Sequence, residues 1–223
     1  MRAIWTGSLS FGLINIPVKM YSGEERGSNL EFDMLDKKTM SRIRYARIGT
    51  KTGKEVSWNN IVKGYKCKDG DYIILTDEDF KKANRHRRQT IDIKAFVKSE
   101  EIDERFYEKP YYLEPQKGAE NAYALLTESL HRSNKVAVAK FVLRNRDHLA
   151  SVKAVGRALV LFELRFQSEV REFGGLSLPD KKAASDEQVK MALALVDQLT
   201  KHFIPEDYHD TYKEELEKLI DKK

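Results

Sequence analysis

Cysteine occurs once in the 223 residues, at Cys67. A single thiol excludes an internal disulfide framework and a cysteine-cluster metal site, and it suits a reducing compartment. The five histidines, at 86, 131, 148, 202 and 209, lie too far apart for metal-ligand spacing. No long apolar run is present. The opening stretch "MRAIWTGSLSFGLINIPVKMYS" is broken by polar residues, Gly7, Gly12 and Pro17, so it reads neither as a signal peptide nor as a membrane span. Catalytic motifs are missing too. "GTKTGK" approaches a phosphate-binding loop, but three residues instead of four separate Gly49 from Gly53, and Glu55 stands where a magnesium-binding Ser or Thr is needed. Paired carboxylates such as Asp77 and Asp79 sit where a helix N-terminus favours anions, and capping explains them. Nothing here proposes an enzyme, a metal, a cofactor or a membrane protein. The reading is a soluble cytoplasmic chain.

What the sequence has in quantity is charge: 40 Lys and Arg against 35 Asp and Glu, a net of +5. Residues 36–56, "DKKTMSRIRYARIGTKTGKEV", hold seven cations (Lys37, Lys38, Arg42, Arg44, Arg47, Lys51, Lys54) against Asp36 and Glu55, and so carry the whole excess. Two further stretches are as basic. Residues 80–98 hold Lys81, Lys82, Arg85, Arg87, Arg88, Lys94 and Lys98 against Asp92; residues 132–157 hold seven cations, among them Arg144 and Arg146, against Asp147. Acids gather instead in 203–223, seven against four lysines. One such cluster is ordinarily a solvated face. Three in strand and loop regions point to a polyanion-binding surface. Few Asn or Gln accompany the cations, and aromatic residues are not interleaved with them. That pattern suits phosphate contacts to a duplex better than base reading or stacking on single strands.

Local patterns place these clusters. The first segment reads as two short strands or one bent strand, with Gly12 at a bulge or corner and Pro17 at an edge or strand end. Strand alternation puts Arg42 and Arg44 on one face and Ile43 and Tyr45 on the other, with a bulge or strand end near Ala46. Strands flanking an Asp69-Gly70 type I′ turn follow, then a short helix around 78–83 behind a Thr76/Asp79 capping box. Residues 89–98 predict a strand, 99–110 an acidic loop, 110–115 a short strand, and 119–132 an amphipathic helix. Three strands in succession cover 135–166. Two helices close the chain, one behind a Ser185/Gln188 capping box with a Val189–Phe203 apolar stripe, the other starting at Pro205. The fold class is mainly β with α (α+β), a β-barrel core over 1–178 and a helical arm over 179–223.

Four segments, "MRAIWTGSLSFGLINIPVKMYS", "VKGYKCKDGDYIILTDEDF", "EIDERFYEKPYYLEP" and "YHDTYKEELEKLIDKK", resemble the bacterial Ku proteins, in order and over essentially the whole chain. The resemblance implies a homodimeric ring that threads onto double-stranded DNA ends in non-homologous end joining. It also implies a bridge that wraps the duplex, recruitment of a multidomain ATP-dependent DNA ligase, and no catalysis of its own. Carried over by position, Lys37, Lys38, Arg42, Arg44, Arg47, Lys51 and Lys54 would belong to the bridge or ring lining. Arg144 and Arg146, in "FVLRNRDHL", would face DNA, and Lys63 and Lys66, flanking the hairpin, are further candidates. The 85–88 cluster would either reach DNA from the rim or be plain surface. Two departures are visible. Gly49 and Thr52 stand where many members have a Cys-x-x-Cys pair, and Lys223 ends the sequence where many continue into a lysine-rich tail. Roles tied to that pair or tail would then be absent or supplied by the core. The same cations would also serve an RNA-binding or ribosome-associated barrel, and a nuclease is a more distant alternative that lacks metal ligands.

Overall fold

The computed structural model describes residues 1–25, 30–83, 89–180 and 184–223. Seven strands close a barrel: β1 (Trp5–Phe11), β2 (Ile14–Ser22), β5 (Thr90–Lys98), β6 (Tyr107–Pro115), β7 (Lys135–Leu143), β8 (Arg146–Val155) and β9 (Ala158–Leu164). Their order around the barrel is β1-β2-β6-β9-β8-β7-β5. All neighbours run antiparallel except β1 and β5, whose short parallel pairing, Ser8–Ser10 with Thr90–Asp92, closes the circle. Alternation aims Leu9, Ile16, Val18, Met20, Ile91, Val152, Leu159 and Leu161 into one fully buried core. Gly7 has a specific reason to lack a side chain. A Cβ there would lie 2.1 Å from the Gln89 carbonyl oxygen and 2.4 Å from the Trp5 ring, just where β1 meets β5.

Helix α2 (Glu120–Ser133) covers one end of this barrel. It joins the core through Ala119, Tyr123, Leu126 and Leu130. The Tyr123 hydroxyl donates to the Leu113 carbonyl at 2.7 Å and accepts from the Leu159 amide at 2.6 Å, tying the helix to β6 and β9. One buried group is unsatisfied: Ser151 Oγ on β8 has no hydrogen-bond partner among the described residues. An unpaired buried hydroxyl costs on the order of 1 kcal/mol or more, so Ser151→Ala is expected to raise the melting temperature by roughly 2–4 °C for a chain of this size. A scanning-calorimetry trace with an unchanged or lower transition contradicts that assignment.

Several expectations are corrected by this architecture. The first segment takes the two-strand alternative, with Gly12 at the corner, in the two-residue turn, at φ +56°. Pro17 sits inside β2, opposite Ser8 of β1, and not at its end. It is tolerated because the strand's other edge begins to pair with β6 only at Val18, so no ladder there needs the missing N–H. Strand β6 reaches back to Tyr107 through part of the expected acidic loop, with its register broken between Tyr107 and Pro110. The rest of that loop holds two turns of 3₁₀ helix, Ser99–Glu101 and Glu104–Phe106.

The chain divides into two compact units, Met1–Arg26 with Phe32–Val170, and Gly27–Glu31 with Arg171–Lys223. In the second, α3 (Asp186–Leu199) begins at the Ser185/Gln188 capping box, and Val189, Leu193, Val196 and Leu199 of its stripe are exposed. Phe203 lies beyond the helix, its ring 5.6 Å from that of Tyr208. The last helix does not start at Pro205, which opens only a 3₁₀ turn, Pro205–Asp207. The helix α4 (Thr211–Asp221) starts later because the Asp210 side chain accepts from the Lys213 amide and so supplies the stronger cap. Among the described residues no helix is long and apolar enough to cross a membrane.

Candidate nucleic-acid interface

Between β2 and β5 the chain makes three consecutive hairpins, and no described residue from 30 to 80 is buried. The first runs from Met34 to Ile43. It is closed by the Ile43 amide to the Met34 carbonyl and the Asp36 amide to the Ser41 carbonyl, both 2.9 Å. Its tip is set by the Asp36 carboxylate, which accepts from the Lys38 amide and the Thr39 hydroxyl. Those hydrogen bonds hold the Asp36 pKa below the usual carboxylate value. Lys37 and Lys38 thus project from a turn fixed by their neighbour's side chain.

The second hairpin runs from Arg47 to Val56, closed by the Val56 amide to the Arg47 carbonyl at 2.7 Å and the Gly49 amide to the Lys54 carbonyl at 2.9 Å. Gly49 and Thr52, the positions expected to hold a cysteine pair in relatives, close the tip by hydrogen bonding: Thr52 and Gly53 amides both donate to the Gly49 carbonyl. Gly53 supplies the left-handed residue, φ +66°. Lys51 and Lys54 flank it.

This geometry corrects the parity argument for Arg42 and Arg44. Only two isolated bridges exist here, Leu35 with Arg42 and Ile48 with Glu55. Alternation assigns faces only along a continuous ladder, and 43–47 is not one. Of the two expected causes of the change of phase at Arg47, a bulge is not found; pairing ends before Ala46 and a new hairpin starts at Arg47.

In the third hairpin β3 (Lys63–Lys66) pairs with β4 (Tyr72–Leu75). Its turn is not type I′. The Gly70 amide donates to the Cys67 carbonyl, the Cys67 amide donates to the Asp71 carbonyl, and of the turn residues only Gly70 has positive φ, at +98°. That is the three-residue loop with a glycine bulge, in which Asp69 keeps an ordinary φ. Helix α1 (Asp77–Ala83) follows, and the Thr76/Asp79 capping box is present, its hydrogen bonds lowering the Asp79 pKa.

The candidate cations separate by what already engages them. Arg42 is paired with Asp33 at 2.7 Å, Arg47 lies over the Trp58 ring at 4.2 Å, and Lys63 lies near Asp77 and over Phe80. Lys37, Lys38, Arg44, Lys51, Lys54 and Lys66 have exposed side chains with no ion-pair partner among the described residues. A free exposed cation can meet a phosphate without first giving up a protein contact. Arg85, Arg87 and Arg88 lie outside the described residues.

The remaining two candidates lie elsewhere, on the turn between β7 and β8 at the barrel end away from α2. Leu143 pairs with Arg146, leaving Arg144 and Asn145 as a two-residue loop with φ +50° and +64°. Both central residues in the left-handed region mark a type I′ turn, a strained place for an arginine. Arg144 and Arg146 line a cavity of about 1060 Å³ together with Arg2, Lys109, Tyr111, His148 and Glu163. Sequence reading missed the polar group at its wall, where Glu163 accepts from Tyr111 at 3.1 Å and meets His148 at 2.5 Å. No local signal marks it, because the three residues come from three strands. Arg144→Asn suits the first position of such a turn, so it is expected to keep the melting temperature while weakening polyanion binding several-fold. Unchanged binding at an unchanged melting temperature contradicts a contact role for Arg144.

Chemically, the arrangement offers point charges on exposed turns. Among the described residues no group of three His, Cys, Asp or Glu is placed to hold a metal. Comparison with known proteins agrees in family. A family model described as the Ku70/Ku80 β-barrel domain matches residues 10–191. The chain is 42% identical over its full length to the non-homologous end joining protein Ku of Opitutus terrae, covering 80% of that protein. It is 40% identical to the protein of that name from Pseudomonas aeruginosa, covering 76% of it, and 37% identical to that of Archaeoglobus fulgidus, covering 88%. With a closed barrel, exposed basic hairpins and full-length similarity to these proteins, the chain belongs to the Ku family.

Proposed function

We propose that this protein is a non-enzymatic end-joining factor. Two copies form a ring that holds double-stranded DNA ends through backbone phosphates, without reading sequence, and recruits a multidomain ATP-dependent ligase in double-strand break repair. The observation that carries the reading is the set of exposed cations without an ion-pair partner among the described residues, on a stretch that buries no described residue within one chain. Phosphates lie at regular intervals along any duplex, and Lys and Arg on turns can follow them whatever the bases. The relatives' name, non-homologous end joining protein, supports the same role.

Dimerisation is supported by exposed apolar residues on and between these hairpins. Phe32, Tyr45, Trp58, Tyr65, Tyr72 and Ile74 are all exposed, Tyr45 at 83%. Apolar surface on that scale marks an interaction site, and a second copy supplies the complementary face by two-fold symmetry. A competition assay tests the reading. Labelled duplex DNA is challenged with unlabelled duplexes of unrelated sequence and with structured RNA at several salt concentrations. Equal competition by all duplexes, a steep salt dependence and weak competition by RNA are expected. Preference for RNA would replace this reading with an RNA-binding barrel.

A further inference from the structure

The β7–β8 turn is braced by a side chain that takes no part in the phosphate contacts proposed above. His148 on β8 is half-buried, with its ring packed on Phe141 of β7 at 5.3 Å between centroids. Its Nδ1 lies 2.5 Å from Glu163 Oε1 on β9, and its Nε2 lies 3.3 Å from the carbonyl of Leu143, the residue that enters the turn. The carboxylate and the carbonyl both accept. A neutral imidazole carries one N–H and serves only one of them, whereas the imidazolium serves both.

The groups around this ring narrow what can titrate with it. Tyr111 on β6 donates to the other Glu163 oxygen. Burial, then the Glu163 charge, pushes the Tyr111 pKa to about 12, so that hydroxyl keeps its proton through the neutral range. Around the same cavity stand Arg144 and Arg146 on the turn, Lys109 on β6, Arg2 before β1, and Glu24 and Glu25 after β2. Glu163 is the carboxylate bonded to the ring among the described residues.

We propose that His148 is a positioning residue for the Arg144–Arg146 turn, and that its protonation couples the grip on DNA phosphates to pH. The imidazolium ties Leu143 and Glu163 together, fixing the turn, and sets a third positive charge beside the two arginines. A neutral ring releases one tie and removes that charge. This inference rests on the DNA-binding reading of the turn.

Two measurements on the full chain test it. Without DNA, NMR follows the His148 ring nitrogens and the Arg144 and Asn145 amides across a series between about pH 5 and 8. The amides are expected to move along the His148 titration curve. A ring that keeps one state throughout, or amides that stay fixed while it titrates, overturns the proposal and leaves the DNA reading untouched. In parallel, duplex affinity is measured over that range at constant ionic strength for the unaltered chain, His148→Gln, Glu163→Gln and His131→Gln. The last is a control, since His131 lies on α2 and meets the Gly156 carbonyl. The unaltered chain and His131→Gln are expected to gain roughly threefold or more in affinity on acidification, and the other two variants to lose most of that gain. An equal gain in His148→Gln overturns the proposal. Failure of the unaltered chain to bind duplex at any pH sinks the DNA reading itself, and the coupling to grip with it.

Discussion

Replacing Arg44, Lys51 and Lys54 together by alanine is expected to lower affinity for duplex DNA on the order of a hundredfold near physiological salt. The slope of log affinity against log salt should fall by roughly 2.7, three times the 0.9 released per neutralised phosphate. These three are chosen because they are exposed and carry no ion-pair partner among the described residues. Arg42 and Arg47 are the weaker choices despite lying in the same stretch. Arg42 would have to leave Asp33, and Arg47 would have to leave the face of Trp58, before either met a phosphate. Removing an exposed ion pair costs little, commonly below about 1 kcal/mol, so the difference is one of degree. Fluorescence anisotropy on one duplex across a salt series reads both effects. A triple variant of Lys213, Lys218 and Lys222, in the acid-rich end of the chain, serves as the control with an unchanged slope. An unchanged slope in the first variant removes Arg44 and the second hairpin from the interface.

The second large effect concerns assembly. In the β3–β4 hairpin Tyr65 pairs with Ile73 on one face, while Tyr72 and Ile74 lie on the other, and all four are exposed. A two-stranded hairpin with both faces in water is marginal by itself, and the proposed second copy would cover it. Ile73→Glu with Ile74→Glu places a charge on each face. The dimer is expected to weaken by about 3 kcal/mol or more, as when central interface residues are lost. Sedimentation equilibrium should then show monomer at micromolar protein where the unaltered chain is expected to show the proposed dimer. Retention on DNA should fall with it, although no cation has been touched. A variant that keeps the dimer mass shows that this hairpin is not the dimer face.

How much of this was legible in the sequence follows from where each signal lives. Strands β7, β8 and β9 were readable because their inward residues recur every second position, as in Val136, Val138 and Lys140 against Ala137, Ala139 and Phe141. The Thr76/Asp79 and Ser185/Gln188 caps were readable because a capping box is completed within four residues. Pro205 misled for a related reason. It fits the first turn of a helix, but Asp210 caps a better one five residues on. The order of the barrel strands could not be read, since the parallel join of β1 to β5 spans about eighty residues and leaves no local mark. The stretch around Arg42 and Arg44 was misread as a strand with two faces because nothing in it is buried, and without burial there is no face for alternation to report. The cation clusters themselves were visible as composition. Which cations are free was not, because Asp33 and Trp58 act across turns.

A ring that threads onto DNA must enter at an end, and that requirement gives the most direct test. The protein is loaded onto the same plasmid as a closed circle and as its linear form, and each is then challenged with high salt. The linear form with bulky blocks added to both ends after loading should retain protein through the challenge, while the closed circle should retain none. Equal retention on circle and line would contradict the threaded ring and leave only surface binding by the basic hairpins.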